Sequence, residues 1–157
     1  MGFLARLLGR GDAVPQVQQG QAGGELRDVS PEGDLETSIV ALRAGQTGIE
    51  EVAGLLVKAR LFVPSPQSPD VKPDKTGFKP VVVELPEGLF VPAYTSVARA
   101  EAMQEQNLAA ASGIETEGAW IVKNLPPDLG LYINPGWKSC LMLPAATLAQ
   151  MREHFGL

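Results

Sequence analysis

This 157-residue chain has one cysteine, one histidine, 6% aromatic residues and no excess of positive charge. Each shortage excludes something. Cys140 alone cannot close an internal disulfide, so the expected compartment is the reducing cytoplasm. A single histidine, His154, rules out metal sites built on histidine pairs. Any Ser-His-Asp or Cys-His triad would have to use this residue, in the last turn of the last expected helix, where a base is poorly held for proton transfer. No stretch approaches the roughly 20 apolar residues that cross a bilayer. Thirteen basic against eighteen acidic side chains leave a net charge of -5, which argues against the phosphate neutralisation that nucleic-acid binding demands. Neither of the common glycine-rich phosphate cradles occurs. Glu50 and Glu51 are neighbours on an expected helix and diverge by about 100°, so they do not form a paired-carboxylate site. The sequence therefore predicts no cofactor, no metal site, no nucleic-acid partner and no catalytic constellation.

What is present is a composition of 45% apolar and 20% charged residues, in the range of one water-soluble globular domain. Residues 1–31 differ from the rest. Six glycines and a Gln-rich run from Gln16 to Gln21 predict a flexible tail, with Gly11 to Pro31 as a linker, and the ordered domain is expected over 32–157. The tail's charges cancel, leaving the domain with the whole net charge. Within the tail, Met1 to Arg10 carries Phe3, Leu4, Leu7 and Leu8 at helical spacing beside Arg6 and Arg10. Such a segment lies on its own domain or frays, being short for an isolated helix, or else docks on a partner groove, with a membrane surface as the weaker alternative.

The domain is punctuated regularly. Pro31 with Asp34 and Glu36 predicts a helix whose buried stripe is Leu35, Ile39 and Leu42, stopped by Gly45. A second helix begins near Thr47 or Gly48 with Ile49, Val52, Leu55 and Leu56 inward. Leu61 to Val63 reads as a short strand, and Pro64 to Pro80 as an exposed proline-rich loop. Val81–Leu85 and Leu89–Ala93 form a hairpin about Pro86-Glu87-Gly88, with Pro92 expected at an edge or a strand end. Thr95 or Ser96 caps a helix from Val97 to about Gln106. Gly113–Leu125 reads two ways, since Trp120 and Val122 alternate as in a strand while Ile121 and Leu125 have helical spacing, and a short helix after Glu117 is the preferred reading. Leu129, Leu131 and Ile133 lie on one side of a strand that ends in a type II turn at Asn134-Pro135-Gly136. Ser139–Leu143 returns beside it, and Pro144 opens a closing helix carrying Leu148, Met151 and Phe155. The expected fold is α+β, a mainly antiparallel sheet of about four or five strands with helices packed on it.

The order of Arg60-Leu61-Phe62-Val63-Pro64, Val91-Pro92-Ala93-Tyr94-Thr95-Ser96 and Leu131-Tyr132-Ile133-Asn134-Pro135-Gly136 resembles the SseB family, named for enhanced serine sensitivity, in its N-terminal domain, over roughly 32–155. The resemblance implies a bacterial cytoplasmic α+β domain whose biochemical activity it leaves undefined.

The functional expectation is a non-catalytic protein-interaction or accessory module. A small-molecule binder or unfamiliar enzyme, and an accessory of a membrane or secretion apparatus docked through residues 1–10, stand as alternatives. Candidate interaction residues are Tyr94 and Thr95 at one hairpin end and Asn134 and Trp137 at the other. A tryptophan ending a turn exposes much apolar area unless it meets a partner or folds back, for instance onto Leu148 or Phe155. Cys140, inside an apolar strand, is expected to be a buried structural thiol.

Overall fold

A computed structural model describes residues 27, 30–65, 80–101 and 113–157. The amphipathic Met1–Arg10 segment, most of the Gly11–Pro31 linker, most of the proline-rich loop and the continuation of the third helix to Gln106 lie outside the described residues. The element order is α1 (Gly33–Arg43), α2 (Ile49–Lys58), β1 (Arg60–Pro64), β2 (Val83–Leu85), β3 (Gly88–Ala93), α3 (Val97–Glu101), β4 (Gly113–Glu117), α4 (Gly118–Asn124), β5 (Leu129–Ile133), β6 (Leu141–Leu143) and α5 (Ala145–Phe155). The fold is α+β, as its sequence pattern predicts. Its strands form a four-stranded sheet, β2-β3-β5-β6, and a two-stranded sheet, β1-β4.

Both expected hairpins form, and one pairing departs from the expectation. β2 with β3 and β5 with β6 are antiparallel, whereas β3 and β5 run parallel in the register Leu89↔Leu129 to Ala93↔Ile133. Parallel neighbours need a long crossover. Here α3, β4 and α4 supply it. β4 itself is absent from the sequence reading, because Gly113-Ile114-Glu115-Thr116-Glu117 is short and polar, yet it pairs antiparallel with the whole of β1. The two sheets meet where Phe62 and Tyr94 exchange both backbone bonds, at 2.7 and 2.8 Å. Tyr94 thus points its amide toward β1, and Pro92, two residues earlier, turns its donorless nitrogen the same way. β2 ends its pairing at Phe90, so the proline falls in the gap between β2 and β1, where no ladder bond is lost.

Every residue of β5 is buried, as a strand covered on both faces requires. One face, with Val91, Leu131, Ile133, Leu141 and Leu143, belongs to the main core with Leu35 and Ile39 of α1, Val52 and Leu56 of α2, Ile121 and Val122 of α4, and Leu148 and Met151 of α5. Phe90, Tyr132, Cys140 and Met142 form a second cluster. The helix stripes are therefore those the 3.6-residue period picks out. α1 starts at Gly33, two residues later than the Pro31 signal, with Glu32 at the N-cap. β6 begins at Leu141 instead of Ser139, because Ser139 belongs to a turn and the Cys140 N–H bonds back to Trp137 O at 3.1 Å, so Cys140 precedes the strand and does not lie inside it.

Gly118 fixes how α4 meets α2. Its amide donates to Ala59 O at 2.8 Å, and a Cβ there would lie 1.9 Å from Leu56 O. Gly118→Ala must therefore push two backbones apart. A loss of about 1–3 kcal/mol is expected from overpacking, read as a lower urea midpoint with unchanged m-value.

Candidate functional site

Because β3 and β5 are parallel, their carboxyl ends sit side by side, and the residues just beyond them meet. Asn134 donates its backbone N–H to Ala93 O at 2.7 Å. It holds φ +47°, a left-handed conformation that asparagine tolerates better than most side chains. Gly136 has φ +88° and Trp137 N–H returns to Asn134 O at 3.1 Å, which closes the type II turn read from the sequence. The Asn134 side chain is fully buried and its amide reaches three residues. Its Oδ1 accepts Thr95 N–H at 2.9 Å. Its Nδ2 lies 3.0 Å from Thr95 Oγ1, 3.1 Å from Ser139 Oγ and 3.1 Å from Glu36 Oε2.

Glu36 brings a carboxylate into this junction from α1, and Arg99 brings a guanidinium from α3. Both are interior, at 0% and 5% exposure. Arg99 grips the carboxylate with two nitrogens, Nη2 to Oε1 at 2.9 Å and Nε to Oε2 at 3.1 Å. This is the planar fork that suits a guanidinium. Oε1 also accepts Glu32 N–H at 2.9 Å, and Oε2 accepts the Thr95 hydroxyl. The remaining reach of Nη2 goes to Ser30 O at 3.2 Å and to the exposed Glu32 carboxylate at 3.3 Å. Burial by itself raises the Glu36 pKa. The bonds from Arg99, Thr95 and Glu32 N–H and the charge of Arg99 outweigh it and hold the carboxyl below its ordinary value. Hydrogen bonding to Glu36 in turn raises Arg99. Such a pair keeps its protons fixed near neutrality and serves to tie α1, α3 and the β5–β6 turn together.

Trp137 closes the junction. It is 6% exposed and packs with Tyr94 and Ala100, not with Leu148 or Phe155, which belong to the main core. The reason is the turn, which carries it toward α3 and away from α5. Its Nε1–H donates to Arg99 O at 3.2 Å, and the Arg99 guanidinium lies 4.4 Å from the ring centroid. Arg27, inside the expected linker, lies 5.6 Å from the same ring. Arg27 also pairs through its backbone, N–H to Gly136 O at 2.8 Å and O to Lys138 N–H at 2.9 Å, so contact with the domain begins ahead of Pro31.

The structure thus gathers all four sequence candidates, Tyr94, Thr95, Asn134 and Trp137, at one end of the sheet. Three of them are interior and Thr95 is half-buried. Glu36, Arg99 and Ser139 complete the cluster and were not legible. In the sequence Glu36 is one of several first-turn acids, and its place one turn before Ile39, on the apolar side, is the only signal.

Two other reactive types are also accounted for. Burial pushes the Cys140 thiol up to about 12, against the lowering influence of Arg43, whose Nη1 lies 3.7 Å from Sγ. Each pKa unit is tenfold in thiolate, the attacking form. Maleimide labelling of Cys140 in the native protein at pH 7.5 is therefore expected to be at least about a thousandfold slower than in urea; labelling at the unfolded rate contradicts the buried assignment. His154 is exposed in the last turn of α5, edge-on to Phe155 with ring centroids 4.7 Å apart.

Among the described residues two hollows bear on function. One, of about 390 Å³, opens beside Thr95 between the start of α1 and the end of α2, with Glu32 and Asp34 among its walls as well as Lys58 and Arg60. The other is an apolar cleft of about 290 Å³, walled by Val63, Pro80, Val82, Trp120, Leu125 and Leu129, with Asn124 contributing a polar amide. Val82 is 45% exposed there. The cleft exists because Gly118 lets α4 start against α2 and so stand Trp120 and Leu125 opposite β1 and the lead-in to β2.

Among the described residues no helix is long and apolar enough to cross a membrane, and no group of three His, Cys, Asp or Glu side chains could hold a metal ion. Comparison with known families finds a match to the SseB protein N-terminal domain over residues 35–150. No curated protein and no solved structure matches the chain.

Proposed function

The chain belongs to the SseB protein N-terminal domain family, and from that premise we propose that it is a non-catalytic protein-interaction module, working as an accessory protein in a bacterial cytoplasm. The observation that carries this reading is the apolar cleft. Its walls offer dispersion and area burial with one amide, Asn124, to orient what enters, which suits apolar side chains presented by another polypeptide. The ionisable groups with shifted pKa values support the same reading, since Glu36, Arg99, Tyr94, Tyr132 and Cys140 are all interior and none of them lines the cleft.

Val82→Asp tests the proposal. Val82 is exposed, so the change should alter stability by less than about 0.5 kcal/mol, while a charge at the cleft removes the apolar partner. Quantitative affinity capture from the native cell should show at least a tenfold loss of a specific protein with the variant relative to wild type. An unchanged capture profile overturns the proposal, and so does turnover of a metabolite by the purified wild-type protein.

A further inference from the structure

The amphipathic segment Met1–Arg10 lies outside the described residues, and its apolar face matches the chemistry of the cleft. Resting on the reading of that cleft as a docking surface, we propose that its resident occupant is this chain's own N-terminal segment, Met1–Arg10, which docks in cis and which a partner must displace. The first argument is shape. In a helix, Phe3, Leu4, Leu7 and Leu8 fall on one face about 140° wide. A cleft of about 290 Å³ holds a few such side chains from a helix laid across it. The second is charge. Arg6 and Arg10 run along one edge of the apolar face, and the sequence from Pro31 onward carries the whole net charge of -5, so a basic amphipathic segment is attracted to the domain that follows it.

The third argument is reach. Arg27 is pinned to Gly136 and Lys138, and the sixteen residues from Gly11 to Leu26 separate it from the segment. Fully extended, they span up to about 53 Å, more than the diameter of a domain with a radius of gyration of about 14 Å. Tethering raises the effective concentration of the segment to the millimolar range. A weak apolar contact is then populated in cis, whereas a separate protein must compete for it. The cleft becomes self-masked, and a partner gains access in proportion to its excess affinity over the segment.

The test uses the full chain with a photo-crosslinking benzoylphenylalanine in place of Phe3, which keeps an aromatic ring on the apolar face and leaves both arginines intact. Irradiation is expected to give intrachain crosslinks to the peptide containing Trp120, Leu125 and Leu129, with a yield independent of protein concentration and at least fivefold lower when Leu7→Asp and Leu8→Asp are added. Crosslinks mapping elsewhere, or none, overturn the proposal. So does a yield that rises with concentration, which means a second copy supplies the segment, or one that appears only with phosphatidylglycerol vesicles, which means the segment belongs to a lipid surface. The same Leu7→Asp/Leu8→Asp chain should capture more of whatever protein Val82→Asp loses. If crosslinking fails while Val82→Asp still loses its partner, the cis contact falls and the interaction function stands. If crosslinking succeeds while Val82→Asp changes no capture, the function falls and the cis contact stands.

Discussion

Replacing Arg99 with methionine is expected to cost about 3–5 kcal/mol at pH 7, because it leaves the buried Glu36 carboxylate without its counter-charge. The expected pH dependence distinguishes this cause from lost packing. In the native protein the Glu36 pKa is below its ordinary value. Its contribution is thus fully present above the unfolded-state pKa, near 4.3 for glutamate, and is lost as pH falls through the lower folded-state value. In the Arg99→Met protein the bonds that lowered Glu36 are reduced and burial remains, which favours the neutral acid and raises the folded-state pKa above the unfolded one. The variant then gains stability as pH falls through that raised value. Urea midpoints measured from pH 7 to pH 4 should show the gap between the two proteins narrowing. A gap that stays constant over that interval means that Glu36 is not the residue left stranded. Adding Glu36→Leu to Arg99→Met should recover a large part of the loss, since an apolar pair can replace a buried ion pair, although Asn134 and Thr95 forfeit a partner.

Short-period patterns made most of the fold legible. The stripes Leu35-Ile39 and Val52-Leu56 have helical spacing and are buried in the main core. The turns at Pro86–Gly88 and Asn134–Gly136 have residue types that dictate backbone angles, so both hairpins follow from local chemistry. Pairings at long sequence distance were not legible. β4 is polar, short and recognisable only through β1, some fifty residues earlier, with Arg60 opposite Glu117 and Pro64 opposite Gly113. The parallel β3–β5 pair was hidden for the same reason, since nothing in Val91 or Leu131 states which strand lies alongside. That one pairing decides the site. It brings Thr95 and Asn134 within 2.9 Å and creates the buried polar junction that Glu36 and Arg99 fill. The candidate residues were found because aromatic and hydroxyl groups at strand ends are conspicuous. Their burial was not legible, because composition does not distinguish a residue at the end of a sheet that faces water from one roofed by a neighbouring helix.

Trp137→Ala is the second change expected to have a large effect, again about 3–5 kcal/mol. Three contributions are removed together. The indole is 6% exposed, so truncation leaves a hole among Tyr94, Ala100 and the half-buried Phe62. The Arg99 guanidinium at 4.4 Å loses its ring, a contact that is stronger when desolvated than at the surface, up to about 2 kcal/mol. The Arg99 carbonyl loses the Nε1 donor at 3.2 Å, about 1 kcal/mol in a buried site. Trp137→Phe keeps a ring beside both arginines and forfeits the donor, so about 1–2 kcal/mol is expected. Arg27→Ala, acting on the farther side at 5.6 Å, should cost less than about 1 kcal/mol. Thermal and urea unfolding of the three variants should therefore rank Trp137→Ala, Trp137→Phe, Arg27→Ala in falling order of loss. A binding anchor behaves differently. If Trp137 met a partner, its alanine variant would keep near-native stability and lose a captured protein, and this outcome would move the docking surface from the apolar cleft to the β5–β6 turn. The folded Trp137→Phe protein separates the two roles most cleanly. It is expected to retain capture of every protein that depends on Val82, because the tryptophan works by holding α3 against the sheet end and the cleft lies beside α4.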